Sequence, residues 1–239
     1  MNRYVVLDIE TTGTHPTRNE IIEIGAVYIE NGKPIKKFNQ LVCPRESISD
    51  YITSITGIDD EMVKDAPPIE VVMPEFIEFC GDATLIGHNI ILFDYRMLKA
   101  TAIKLGYTFE RLGLDTLVIS RKVLQELPSR KLGALCEHYH INLEHAHRAY
   151  DDAYATYELF VHLQDEFGEK MPELFIPEPM IWNMPKWEPI TAKQQSYLKS
   201  LCAKHQLQLP NNMEHLSKSE AIGACSERDV GNRGQRRCE

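Results

Sequence analysis

Asp8 and Glu10 stand two residues apart in and just after the apolar run Tyr4-Val5-Val6-Leu7-Asp8-Ile9. In a strand, period-two alternation sends both carboxylates to the same face. Acids on a buried face are costly unless a cation or hydrogen bonds compensate them, although a strand end reaching solvent would leave the pair merely exposed. Asp94 follows Gly87-His88-Asn89 and Phe93 where a short strand hands over to a helix. There a carboxylate either points out over the sheet edge or simply complements the helix dipole. His147 and Asp152 are five apart, about 140° around a single helix, so they converge only if His147 precedes the helix that carries Asp152. Oxygen donors of this kind suit a hard divalent cation, and imidazole is the side chain that exchanges a proton near neutral pH.

Elements able to position these groups are legible around them. Tyr4 to Ile9, Ile21 to Ile29 and Ile35 to Val42 read as three strands of a meander, the last two joined at Asn31-Gly32. Thr84 to Gly87 is a further short strand. Apolar residues at helical spacing predict helices over 71–80, 93–105, 115–126, 132–139 and 150–167. The loop-like stretch from Asn142 to His147 places that histidine ahead of the last helix, as convergence with Asp152 requires. Cys136, His138, His140, His145 and His147 also contain zinc-ligand types, but residues two apart on a helix do not face one another.

Length and charge narrow the classes. The 239 residues, 43% of them hydrophobic, suffice for one sizeable core and a small appendage. A formal net charge of -9 argues against binding by blanket phosphate neutralisation, but not against a metal site built of carboxylates, whose ions reverse the local field. The residues from Ile190 onward carry an excess of Lys and Arg, so the preceding part is the more acidic. Six cysteines are scattered without a C-x-x-C pair and read as reduced thiols. Met1-Asn2-Arg3 leads straight into the first strand without a signal-peptide pattern, and no apolar stretch approaches membrane-spanning length. A soluble, cytoplasmic protein without membrane contact is expected.

Taken together, Asp8-Ile-Glu10-Thr-Thr-Gly13, Gly87-His-Asn89 with Phe93-Asp94, and His147-x-Ala149-x-x-Asp152 resemble the three motifs of the DEDDh 3′→5′ exonucleases. That family includes the proofreading subunit of bacterial DNA polymerase III, ribonuclease T and oligoribonuclease. The likeness runs over roughly residues 3 to 167, and Ile55-Thr56-Gly57-Ile58, Asp115-Thr116-Leu117 and Lys131-Leu132 fit it as well. It implies an α/β, ribonuclease H-like fold: a mixed five-stranded sheet with helices on both faces, here with a small C-terminal helical appendage. It further implies that Asp8, Glu10, Asp94 and Asp152 hold two Mg²⁺ or Mn²⁺ ions and that His147 is the general base, with motif spacing selecting Asp152 over Asp151. Thr11, Thr12, Gly13, Asn89 and Phe93 would lie against the terminal nucleotide, and Ile58 would wedge against a base. A plain structural turn is the rival reading for Thr11 to Gly13.

The expected organisation is an exonuclease domain over 1–168, a Pro- and Trp-containing linker over 169–189, a small helical module over 190–224 and a disordered tail over 225–239. The expected activity is metal-dependent release of nucleoside 5′-monophosphates from single-stranded or frayed 3′ ends, with DNA favoured over RNA, in proofreading or repair. Trimming of RNA is the alternative within nucleases. An interaction module for a replication or repair partner is the alternative outside them, with the segment after Ile190 as contact surface, nucleic-acid grip or simple packed hairpin.

Overall fold

Even and odd residues of the first strand serve opposite sides of one sheet. In the computed structural model, which describes residues 3–143, 147–185 and 190–204, β1 (Arg3–Thr11) places Val5, Leu7 and Ile9 in one apolar cluster and Val6 in another. Asp8 and Glu10 continue the Val6 side toward the strand's end. β2 (Ile21–Glu30) pairs antiparallel with β1, and β3 (Lys33–Leu41) pairs antiparallel with β2. Asn31 and Gly32 both take positive φ, 51° and 74°, the geometry a tight hairpin needs.

The chain then runs through α1 (Asp50–Thr56), α2 (Asp60–Val63) and α3 (Ile69–Cys80) before β4 (Thr84–Gly87) inserts parallel to β1. After α4 (Asp94–Lys104), β5 (Leu112–Asp115) joins parallel to β4. α5 (Thr116–Val123), α6 (Leu132–Tyr139) and α7 (Ala149–Phe167) follow. β6 (Glu178–Pro179) closes the far edge, so the sheet order is β3-β2-β1-β4-β5-β6. α3 and α4 cover one face through residues such as Phe76, Tyr95 and Leu98, and α5, α6 and α7 cover the other through Ile119, Leu135 and Leu159.

The mixed α/β sheet with helices on both faces is as expected, but it has six strands rather than five. β5 and β6 span only four and two residues, too short for any periodicity to register, and Pro179 is tolerated because β6 lies at an edge. The expected linker is structured over its first part. Pro172–Phe175 forms a 3-10 turn, and Met180 and Trp182 pack on the core. A Cβ at Gly113 would meet the Met180 Sδ at 2.4 Å, so this glycine is what lets the β6 segment lie down.

Residues up to Trp182 form one unit and 183–239 another. In the second unit the structure describes α8 (Ala192–Lys204), which opens on a capping box: Thr191 Oγ1 accepts from the Gln194 amide while Gln194 Oε1 accepts from the Thr191 amide. The rest of the expected helical module, including Ser217 and Glu220, and the tail over 225–239 lie outside the described residues.

The first half of α7 presents Ala149 and Ala153, both wholly buried, and these small side chains allow the helix to approach β1 and β2 closely. Opposite it sits Gly25, where a Cβ would come within 2.1 Å of the Ala149 and Tyr150 backbone. Gly25→Ala is therefore expected to destabilise the protein by about 1–3 kcal/mol, or more if backbone must move, read as a lower midpoint in chemical denaturation.

Candidate active site

Beyond Val6 and Ile86 the parallel pairing of β1 with β4 ends, and the two strands part toward their C-terminal ends. The Ile9 amide is there accepted by Asp94 Oδ1 at 3.2 Å. Asp94 is the first residue of α4 and is buried, so one hydrogen bond seats its carboxylate in the cleft beside Asp8. The turn leading into α4 is held by Asp115, at the end of β5, whose carboxylate accepts from the amides of Asn89 (2.9 Å), Ile91 (3.2 Å) and Leu117 (2.9 Å). One buried acid thus caps α5 and shapes the loop before Asp94. Asn89 takes φ 70° within that loop.

From the other side, α7 brings Asp152. His147 precedes the helix, as the spacing required, in a left-handed conformation with φ 68°, and its backbone N–H donates to Asp152 Oδ2 at 2.9 Å. Ligand atoms of Glu10, His147 and Asp152 lie within 4.8 Å of one another. Asp8, Glu10, His147 and Asp152, with Phe93 and Leu132, line a cavity of about 530 Å³. Cys136, His138 and His140 form no comparable cluster among the described residues.

Burial and mutual repulsion dominate the electrostatics. Burial raises the Asp8 carboxyl well above its ordinary range, and the charges of Asp94, Asp152 and Glu10 push it further. The same two causes lift Glu10 to about 8, burial foremost. Burial raises Asp94 to about 7 and Asp152 to about 6, against the hydrogen bonds from backbone amides that favour their charged forms. Positive charge placed among these groups would favour their ionised forms. All-oxygen donors at this density fit a divalent ion.

Two residues that reading the sequence passed over build the site from behind. Glu23 on β2 lies directly across from Glu10 and is 1% exposed. Its carboxylate accepts from Arg148 Nη2 at 2.8 Å and Nε at 3.2 Å, and from the Ala149 amide at 3.0 Å. Arg148 adjoins His147, so this pair ties the histidine segment and the start of α7 to the sheet. The available signal was a lone acid in the apolar run Ile21-Ile22-Glu23-Ile24, which demands a buried partner.

The expected substrate residues do not share one location. Phe93 lines the acidic cavity, whereas Asn89 lines a neighbouring one. Thr11 Oγ1 donates to the Gly13 carbonyl at 2.7 Å, and Thr12 Oγ1 accepts from the Glu20 amide at 2.9 Å, so both hydroxyls hold the turn after β1. Ile58 lies apart from both cavities. It is wholly buried with Ile22, Ile48, Ile52 and Val63, because the apolar surface of the short helices α1 and α2 needs a filler.

Residues 5–160 match the exonuclease family, RNase_T. The chain is 48% identical over 166 residues to the DNA polymerase III PolC-type of Caldanaerobacter subterraneus subsp. tengcongensis, covering 70% of this chain and 12% of that protein. With the PolC-type polymerase of Thermotoga maritima it shares 40% over 174 residues, 72% of this chain and again 12% of the relative. The chain thus spans about 12% of the length of these relatives. Among solved structures, exonuclease X in complex with 5′ overhanging duplex DNA superposes with a TM-score of 0.57 at 27% identity, covering 73% of this chain and 99% of that one. E. coli exonuclease I with a dT13 oligonucleotide shares the fold at a TM-score of 0.63 and 19% identity, over 73% and 43%. The architecture is ribonuclease H-like.

Carboxylates raised in the folded state bind protons that the unfolded chain has released, so folding loses stability as pH climbs from the ordinary carboxylate range near 4. In chelator, melting temperature should fall as pH rises through about 6, 7 and 8, the values reached by Asp152, Asp94 and Glu10, and a divalent cation should restore most at the alkaline end. Glu23→Ala, which strands Arg148 and the Ala149 amide, should cost about 3–5 kcal/mol in chemical denaturation.

Proposed function

The chain belongs to the exonuclease (RNase_T) family, and from that premise we propose that it shortens single-stranded or frayed DNA from the 3′ end, releasing nucleoside 5′-monophosphates in proofreading or repair. It is a 3′→5′ exonuclease, a phosphodiester hydrolase. The observation that carries the reading is the convergence of Asp8, Glu10 and Asp152 with His147 around one cavity, with the Asp94 carboxylate set behind it, close enough to raise Asp8.

Asp8, Glu10, Asp94 and Asp152 would hold two divalent ions, Mg²⁺ or Mn²⁺. Bound there, the ions supply charge neutralisation at the scissile phosphate and the leaving 3′ oxygen and acidify the attacking water. The chain's own groups do the rest. His147 stands exposed at the cavity with its backbone pinned to Asp152, and its imidazole takes the proton of the attacking water. Phe93 offers an aromatic wall to the terminal base, a contact that tolerates any sequence. The Thr11–Gly13 turn and Asn89 flank the terminal nucleotide.

DNA as substrate is favoured by the PolC-type polymerases among the relatives and by the duplex DNA named with exonuclease X. The same relatives support a replicative setting, with a polymerase or repair protein as partner and the cytoplasm as location. No helix among the described residues is long and apolar enough to cross a membrane.

A 5′-labelled single-stranded DNA and its RNA counterpart, incubated with Mg²⁺, Mn²⁺ or chelator, test the proposal. Stepwise metal-dependent shortening of DNA is expected, lost in Asp8→Ala and reduced about 10²–10⁴-fold in His147→Ala. Faster trimming of RNA would make the protein an exoribonuclease, and no shortening of either strand would leave an interaction module.

A further inference from the structure

A second cavity, of about 520 Å³, adjoins the catalytic one and shares His88, Ser129, Lys131 and Leu132 with it. Its character is opposite. Arg121 from the last turn of α5 and Arg130 and Lys131 from the loop before α6 line it, and no carboxylate does. None of these three cations makes an ion pair among the described residues. In a chain of net charge -9, unpaired cations gathered against one concavity repel each other and await an anion.

The gathering is built rather than incidental. His88 Nε2 donates to the Arg130 carbonyl at 2.9 Å, which leaves Nδ1 to accept from the Thr116 hydroxyl at 2.9 Å. Motif residue His88 thereby fixes the loop that carries Arg130 and Lys131. Arg130 Nη2 donates to the Gln125 carbonyl at 2.6 Å, while its Nε is buried without a hydrogen-bond partner. The N-terminus of α6 opens here with no side-chain cap, adding the partial positive charge of its free amides. A cation at the C-terminal turn of α5 would suit Arg121 by itself, but it does not account for Arg130 and Lys131 arriving from a different element.

We propose that this cavity is a subsite for the phosphates of the strand being cut, upstream of the scissile bond, so that the terminal nucleotide sits among the acids while the preceding backbone is held by Arg121, Arg130 and Lys131. The inference rests on the exonuclease reading and adds to it where the strand enters. The subsite recognises phosphodiester charge and so contributes to KM rather than to the chemical step.

The test pairs two substrates. Single-stranded oligonucleotide carries upstream phosphates, and the p-nitrophenyl ester of thymidine 5′-monophosphate carries none. In Arg121→Gln/Arg130→Gln, neither residue of which lines the catalytic cavity, KM for the oligonucleotide should rise about tenfold with kcat held. The log–log salt dependence of binding should flatten by about 0.7 for each cation removed. Ester hydrolysis should stay at the wild-type rate, and Arg121→Gln alone should show part of the effect. An unchanged oligonucleotide KM would overturn the subsite, as would equal losses on both substrates, or a defect confined to duplex ends. If the wild-type protein cleaves neither substrate, the exonuclease reading fails by itself, and anisotropy of a labelled oligonucleotide on wild type and variant still decides whether the cavity binds the strand.

Discussion

Mutual repulsion among carboxylates is the constraint on which this structure turns. Asp8, Glu10, Asp94 and Asp152 are brought together where burial and neighbouring charge both oppose ionisation. No single element would hold such a cluster. β1 contributes two acids by strand alternation, α4 contributes one through a hydrogen bond to the Ile9 amide, and α7 contributes one by close packing on β2 at Gly25. The cost of assembling them is met by the large apolar clusters on both sheet faces, and a cation is what would turn the repulsion into binding.

The clustered acids are therefore supported by a second set of charges that face away from the cavity. Glu23 lies across from Glu10, yet its carboxylate is engaged by Arg148 and the Ala149 amide rather than by the cavity. It adds negative charge behind the site while fixing the segment that carries His147. Asp115 does the same on the opposite side, its oxygens spent on the amides of the loop before Asp94. Glu23 and Asp115 thus spend their oxygens on protein donors, whereas Asp94 and Asp152 each accept a backbone amide and face Asp8 and Glu10.

Charge of opposite sign lies one loop away. The acidic cavity and the basic one meet along His88, Ser129, Lys131 and Leu132, so a polyanion threading both would meet fixed cations first and reach the acids only where metal ions offset them. This arrangement reconciles an acidic chain with a polyanionic substrate, since the favourable field is local rather than global.

Local patterning was enough to pick out the groups of the acidic cluster, with His147, and most of the elements that carry them. Alternation in Tyr4 to Ile9 put Asp8 and Glu10 on one face, and the loop before the last long helix allowed His147 to meet Asp152, because these are local periodicities that the backbone obeys wherever it lies. Only tertiary structure decided what each polar group spends its hydrogen bonds on. Thr11 and Thr12 turned out to hold their own turn, Ile58 to fill the core beneath two short helices, and Glu23 to find Arg148 across 125 positions of chain. The sixth strand and the basic cavity belong to the same class. Two residues at an edge have no period to read, and cations from α5 and the following loop acquire a common purpose only when His88 pins that loop beside the acids.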